Sequence, residues 1–344
     1  MAFIVQPNAA FMNIRPQRKL KEFRNFSVEF NEMELHQRYR FRRDSIDYII
    51  SLVRDDVERD TKRNHALTVE MQVLVTLRFL ASGSFLQVVG DTVGLDKSTV
   101  SRTVDRVCDA LVRKRHQFIK WPSVQEKDKI KKGFFEIGGF PNVIGCIDGT
   151  HVRIQAPTQD EPAYVNRKGW HSINVQAVCD DKGNITNLCA SWPGSTHDSH
   201  IFRTSNLRQH LEANHTRISD GFVLGDSGYA CRPYLLTPYL HPQGNPQQRY
   251  NDRLCRTRVT IERTFGRLKR RFHVLHSEIR MNPGKVCKII LTCAILHNIA
   301  IFRSEVLDVD DAHVRQDQPP IDHYRGRNDG KAIRDHIAST FFAN

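Results

Sequence analysis

Asp148 closes an apolar run, Val143-Ile144-Gly145-Cys146-Ile147, and Gly149 follows it directly. Asp226 repeats the arrangement in VLGDSG, where apolar residues end in an Asp followed by a small residue and Gly. Each run reads as a strand, so both carboxylates are expected at strand ends, side by side at one edge of a sheet. A third carboxylate, Glu262, stands beside Ile261 in a series Ile261, Phe265, Leu268, Phe272, Leu275 spaced by four, three, four and three residues. That spacing predicts an amphipathic helix, with Glu262 on the flank of its buried stripe and able to reach the sheet edge. Between Asp226 and Glu262 lie 35 residues.

Three carboxylates so placed suit hard divalent cations such as Mg²⁺ or Mn²⁺, which prefer oxygen ligands and leave coordination positions for water and phosphate. Phosphodiester cleavage develops negative charge on the attacking and leaving oxygens, and two cations roughly 3.5 to 4 Å apart stabilise both. Asp148 would bridge the two ions, with Asp226 and Glu262 each holding one. Taken singly, each residue has a plainer reading. An Asp before Gly is often a turn residue, and a Glu on a basic helix is often an ion-pair partner. The three together, in this order on these elements, favour a metal site.

The surrounding charge points to a polyanion. The 344-residue chain carries a net charge of +13 and a pI near 9.5, and nucleic acid is the commonest polyanionic partner of a soluble protein. Nine basic residues fall between Arg249 and Arg271 against only Asp252 and Glu262. Of these, Arg258, Arg263, Arg267, Lys269 and Arg270 are candidate phosphate contacts. Arg167 and Lys168, beside Tyr164, Asn166 and Trp170, either stack on bases and pair with phosphates or form an ordinary exposed turn. His197 and Asp198, in WPGSTHDSH, are auxiliary candidates: Asp198 either caps a helix or contacts metal or water. His297 and Asn298 lie in an apolar segment and read as satisfied core groups. Eight scattered cysteines without a C-x-x-C pair read as thiols in a reducing compartment, with no zinc pattern.

The elements that must position these residues follow from periodicity. From Glu34 to Leu111 the pattern is helical, with Thr68 as a cap. Within it, Phe85–Val93, a Gly94-Leu95 turn and Ser98–Val112 describe a helix-turn-helix with Asp96 as its cap. Its second helix presents Lys97, Ser98, Thr99, Ser101 and Arg102 near its start. The unit either contacts DNA or is a hairpin that packs for stability. Beyond Trp121–Lys132 come strands: 143–147, a Gly149-Thr150 bend, then Val152 and Ile154. Ile173–Ala177, Leu188–Trp192 and 221–225 follow, with a helix from Asp198 to Glu212 before the last. An α/β class is expected, a mixed sheet with flanking helices preceded by an all-α domain. The expected layout is an N-terminal extension over 1–33, a helical domain over 34–120, an α/β domain over 135–303 and a polar tail over 304–344. That tail reads as mostly disordered, with a short helix near 333–342. An apolar helix is expected over 286–301, no run reads as a membrane span, and the chain reads as soluble and intracellular.

The segments IGCIDGTHVRI, YVNRKGWHSINVQAVCD, WPGSTHDSHIF, LGDSGYACRPYLLTPY, YNDRLCRTRVTIERTFGRLKRRF and LTCAILHNI carry a resemblance. From Asn142 to Asn298 the chain resembles the DDE endonuclease domain of the PIF/Harbinger transposases and of the harbinger transposase-derived nucleases of animals. The resemblance implies a ribonuclease-H-like fold, a triad on Asp148, Asp226 and Glu262, a divalent metal cofactor and DNA as substrate. It also implies a separate Myb-like DNA-binding partner, and a homo-oligomer is compatible with it. A DNA substrate implies the nucleus, with the cytoplasm as a further location. Two rivals remain: a domesticated DNA-binding or partner-recruiting protein without nuclease activity, and a ribonuclease on the same scaffold.

Overall fold

The computed structural model describes residues 30–59, 66–305 and 329–343. The readings for residues 1–29 and for most of the polar tail lie outside the described residues. Six helices open the described chain: α1 (Glu32–Tyr39), α2 (Arg43–Val57), α3 (Val69–Ser82), α4 (Leu86–Val93), α5 (Lys97–Arg113) and α6 (Arg115–Phe118). Their ends follow the local sequence. Asn31 and Glu34 form a capping box at α1, and the Thr68 hydroxyl accepts from the Met71 amide at α3. Gly83 and Gly94 close α3 and α4 in the left-handed conformation, which glycine adopts without penalty. Asp96 starts α5 as expected from its position, but its side chain makes no capping hydrogen bond.

After α7 (Val124–Gly138) the chain enters the sheet. It continues through β1 (Val143–Arg153), α8 (Glu161–Tyr164), β2 (Ser172–Cys179), β3 (Ile185–Pro193), α9 (Asp198–Arg203), α10 (Asn206–Asn214), β4 (Phe222–Leu224) and β5 (Leu235–Leu236). Helices α11 (Gly244–Arg271), α12 (Pro283–Phe302) and α13 (Gly330–Phe341) complete it. The strand order is β3-β2-β1-β4-β5. β2 runs antiparallel to β1 and β3, while β4 runs parallel to β1 and β5. This mixed five-stranded sheet with helices on both faces is ribonuclease-H-like.

One core cluster runs continuously from Leu35 through one face of the sheet to Phe342. A second cluster, including Ile144, Ile147, Val223, Phe202 and Leu207, fills the opposite face beneath α9 and α10. The helical region is therefore joined to the sheet layer by buried apolar packing. Charge reinforces this junction, because Lys285 and Lys288 of α12 pair with Asp105 and Asp109 of α5. α12 is long and apolar enough to cross a membrane, contrary to the sequence reading, and here it is largely buried within the fold. His297 Nε2 meets the Gly183 carbonyl while its Nδ1 is buried without a hydrogen-bond partner, and the Asn298 side chain pairs with both backbone groups of Ile185, so both are core groups and only Asn298 is fully satisfied.

Two element boundaries differ from expectation for physical reasons. The Gly149-Thr150 bend does not form, because Gly149 and Thr150 pair with Gln176 and Val175 in the β1–β2 ladder and the strand runs on to Arg153. The single helix expected from Asp198 to Glu212 is two helices, since the Ser205 hydroxyl accepts from the Arg208 amide and starts α10 afresh.

Candidate active site

Asp148 lies inside β1 rather than at its end, and the strand that ends is its neighbour. The last parallel pair between β1 and β4 is Cys146 with Leu224. Asp148 and Asp226 each stand two residues beyond that pair, so sheet register alone sets them at the same level. The first lies on a strand that continues, the second in the loop where β4 has stopped. The Gly228 amide donates to Asp226 Oδ1 at 2.9 Å and holds the loop carboxylate in place. The Gly149 amide donates to Asp148 Oδ1 at 2.8 Å.

Glu262 arrives on α11, which packs along β1. Arg258, one turn earlier, spans the gap between the two elements. Its Nη1 donates to Asp148 Oδ2 at 2.8 Å and its Nη2 to Glu262 Oε1 at 2.6 Å. A single guanidinium thus neutralises two of the three carboxylates. Among the described residues, no three His, Cys, Asp or Glu side chains stand together closely enough to hold a metal ion in this arrangement. Burial raises the Asp148 pKa, against the Gly149 amide and Arg258 that lower it, and the charge of Asp226 adds to the rise.

The structure also brings in Asp198. It is the first residue of α9 rather than its cap. Its Oδ1 accepts from Asn174 Nδ2 at 2.8 Å, and its carboxylate packs against Gly149 so closely that a Cβ there would collide with it. Gln176 donates to the Asp198 carbonyl and to the Tyr229 hydroxyl, both at 3.0 Å. The Tyr229 pKa is raised by burial first and then by the charges of Asp198, Asp148 and Asp226. Tyr229 therefore stays protonated, within reach of the charges of three carboxylates. Asn174, Gln176 and Tyr229 escaped the sequence reading. The signal was Asn174 and Gln176 alternating with apolar residues in SINVQAVC, two polar groups on one face of a fully buried strand.

The predicted basic contacts divide. Lys269 is held inside the fold, donating to Thr150 Oγ1 at 2.8 Å and to the His151 carbonyl at 2.9 Å. These bonds tie α11 to β1 just past Asp148. Arg271, counted in the basic run, is buried, donating to the Arg40 and Glu305 carbonyls. Arg267 lies beside Gly183, while Arg263 and Arg270 are exposed on α11. Arg167 and Lys168 are exposed in the turn before β2, near enough to help lower the His151 pKa after burial. Lys97 and Arg102 are exposed at the start of α5, on the second helix of the helix-turn-helix. His197 is exposed at the mouth of a groove beside α9, away from the carboxylates' hydrogen-bond network.

Residues 147–298 match the model of the DDE superfamily endonucleases. Human HARBI1, which bears the name of a nuclease, is 35% identical over 315 residues, covering 89% of each chain. The chain belongs to the harbinger transposase-derived nuclease family. An Arabidopsis thaliana relative of this family member, named antagonist of like heterochromatin protein 1, is 31% identical over 79% of this chain and 74% of its own. A Microchaete diplosiphon protein named as a transposase of insertion sequence element IS702 is 25% identical over 69% of this chain and 83% of its own. No solved structure matches.

Proposed function

We propose that this harbinger-derived nuclease is a divalent-metal-dependent DNA endonuclease that cuts or transfers phosphodiester bonds with Asp148, Asp226 and Glu262. One observation carries the reading: Asp148 and Asp226 each follow the last β1–β4 pair by two residues, with Glu262 linked to Asp148 through Arg258. The donor set fits Mg²⁺ or Mn²⁺, because all the oxygens are carboxylate oxygens. The guanidinium already bound between two of them marks the place as one that holds positive charge. When bound, the metal would polarise the phosphoryl oxygens and activate the attacking water or 3′-hydroxyl.

The chain's own residues do the rest. Asn174 and Gln176 hold Asp198 against Gly149, and Lys269 ties β1 to α11 so that the two carboxylate-bearing elements stay aligned. Arg258 is the residue that would leave the carboxylates for DNA phosphate as metal enters. Arg167, Lys168, Arg263, Arg267 and Arg270 would flank the duplex. Lys97 and Arg102 would contact it from α5. A Myb-like partner supplying site choice and a nuclear location accompany this reading, and α5 and the basic end of α11 are where DNA contact or nuclear import would draw on charge.

The test is nicking of supercoiled plasmid with Mg²⁺ or Mn²⁺, beside Asp226→Asn and an RNA substrate of equal length. Metal-dependent nicking of DNA, lost in the variant, supports the reading. Cleavage of RNA alone would transfer the chemistry to a ribonuclease. The Arg258 fork favours a second reading, a DNA-binding descendant without chemistry, because it neutralises two carboxylates at once. Plasmid that stays supercoiled at every metal concentration, while still bound, would select that second reading.

A further inference from the structure

Beside the carboxylates runs a groove of about 370 Å³ lined by His200, Phe202, Arg203, Arg208, Tyr229 and Arg232, among others. No acidic side chain lines it. One wall is α9, which carries Asp198 at its first residue and Arg203 at its last. The other is the loop after β4, which carries Asp226 at its start and Arg232 near its end. Both walls therefore run from a carboxylate at the site to an arginine at the far end. Tyr229 and Phe202 form the floor, their rings edge to face at 5.9 Å.

The basic groups differ in their freedom to bind. Arg208 is committed to Glu212 at 2.9 Å and to the Arg203 carbonyl. Arg203 donates to His200 Nδ1 at 3.0 Å, which keeps that ring nitrogen an acceptor. Arg203 and Arg232 are both exposed. Along α9, a rise of about 1.5 Å per residue carries the chain roughly 8 Å from Asp198 to Arg203. The backbone of α11, where the sequence concentrated positive charge, offers less than its composition suggests, because Lys269 and Arg271 are turned into the fold.

We propose that this groove is a phosphate-binding track, in which Arg203 and Arg232 hold the DNA backbone continuing from the phosphate placed at Asp148 and Asp226. The assignment rests on the nuclease reading and names the path its substrate takes. Backbone contacts of this kind release condensed counterions, so each contributes to the salt dependence of binding rather than to sequence choice.

The experiment measures binding of the full chain to a fluorescein-labelled duplex with a single-stranded extension, by anisotropy, in EDTA and across a series of KCl concentrations. R203A/R232A should bind more weakly at every salt, with a slope of log affinity against log salt reduced by about 2, one unit per lost phosphate contact. R203K/R232K should keep the wild-type slope, and both variants should melt with the wild type. A wild-type slope in R203A/R232A overturns the groove while leaving the nuclease reading intact. Failure of the wild-type protein to bind DNA at all overturns both.

Discussion

Arg258→Ala is expected to tighten Mn²⁺ binding at the carboxylates, because the guanidinium and the metal compete for the same oxygens. The structure sets the size of the competition. At the Asp148 contact both side chains are mostly buried, 18% and 19% exposed, so a charge-assisted hydrogen bond there is worth about 1.5 to 3 kcal/mol. At the Glu262 contact the carboxylate is 51% exposed and one helical turn away, and such a pair adds only about 0.3 to 0.5 kcal/mol. A cation entering between Asp148 and Glu262 must displace both contacts. Removing Arg258 should strengthen Mn²⁺ binding by roughly 2 to 3 kcal/mol, about 30- to 150-fold in Kd. Isothermal titration of wild type, Arg258→Ala and Arg258→Lys reads this directly, with the lysine variant falling between. The alanine variant should also melt lower than wild type without metal, since two carboxylates lose their counter-ion, and gain more from added Mn²⁺. Equal or weaker Mn²⁺ affinity in Arg258→Ala would refute the competition.

Two further perturbations separate structural from functional charge. Lys269→Met should lower stability by about 1 kcal/mol, through the half-buried Thr150 hydroxyl and His151 carbonyl left without their donor, while leaving the salt slope of DNA binding unchanged; a slope reduced by a full unit would place Lys269 at the DNA interface. Burial first, and the neighbouring Asp180 second, push the Asp181 carboxyl up to about 7. The folded state then binds the extra proton between the unfolded value near 3.9 and about 7, so this residue's contribution to stability is present at acid pH and lost as pH rises through that window. Asp181→Asn should flatten the stability profile over those pH values and melt higher than wild type at pH 8, and a parallel profile would show that Asp181 carries no such burden.

Much of this architecture was legible because it is local. The apolar runs ending in Asp148 and Asp226, the four-three spacing through Ile261 and Leu268, and the Thr68 and Gly94 boundaries are written in contiguous residues. The short helix expected near 333–342 is α13. What sequence could not supply depends on pairing between distant segments. Gly149 reads as a turn until the β2 ladder straightens it. Asp226 and Asp148 become level only through the Cys146–Leu224 pair. Arg258 reads as an ordinary helix partner of Glu262, four residues on, and its second bond reaches a residue 110 positions away. Lys269 looked like surface charge because composition does not say which face of α11 meets β1. Asn174, Gln176 and Tyr229 were overlooked although two polar residues on one face of a buried strand need partners, and that need was visible in advance.

The most direct test of the metal-site claim is titration of Mn²⁺ into wild type, Asp148→Asn and Asp226→Asn, with folding of each checked by melting. The account predicts binding in the wild type that both asparagine variants lose while remaining folded. A wild type that binds no Mn²⁺ above the level of the two variants, with or without DNA, would contradict it.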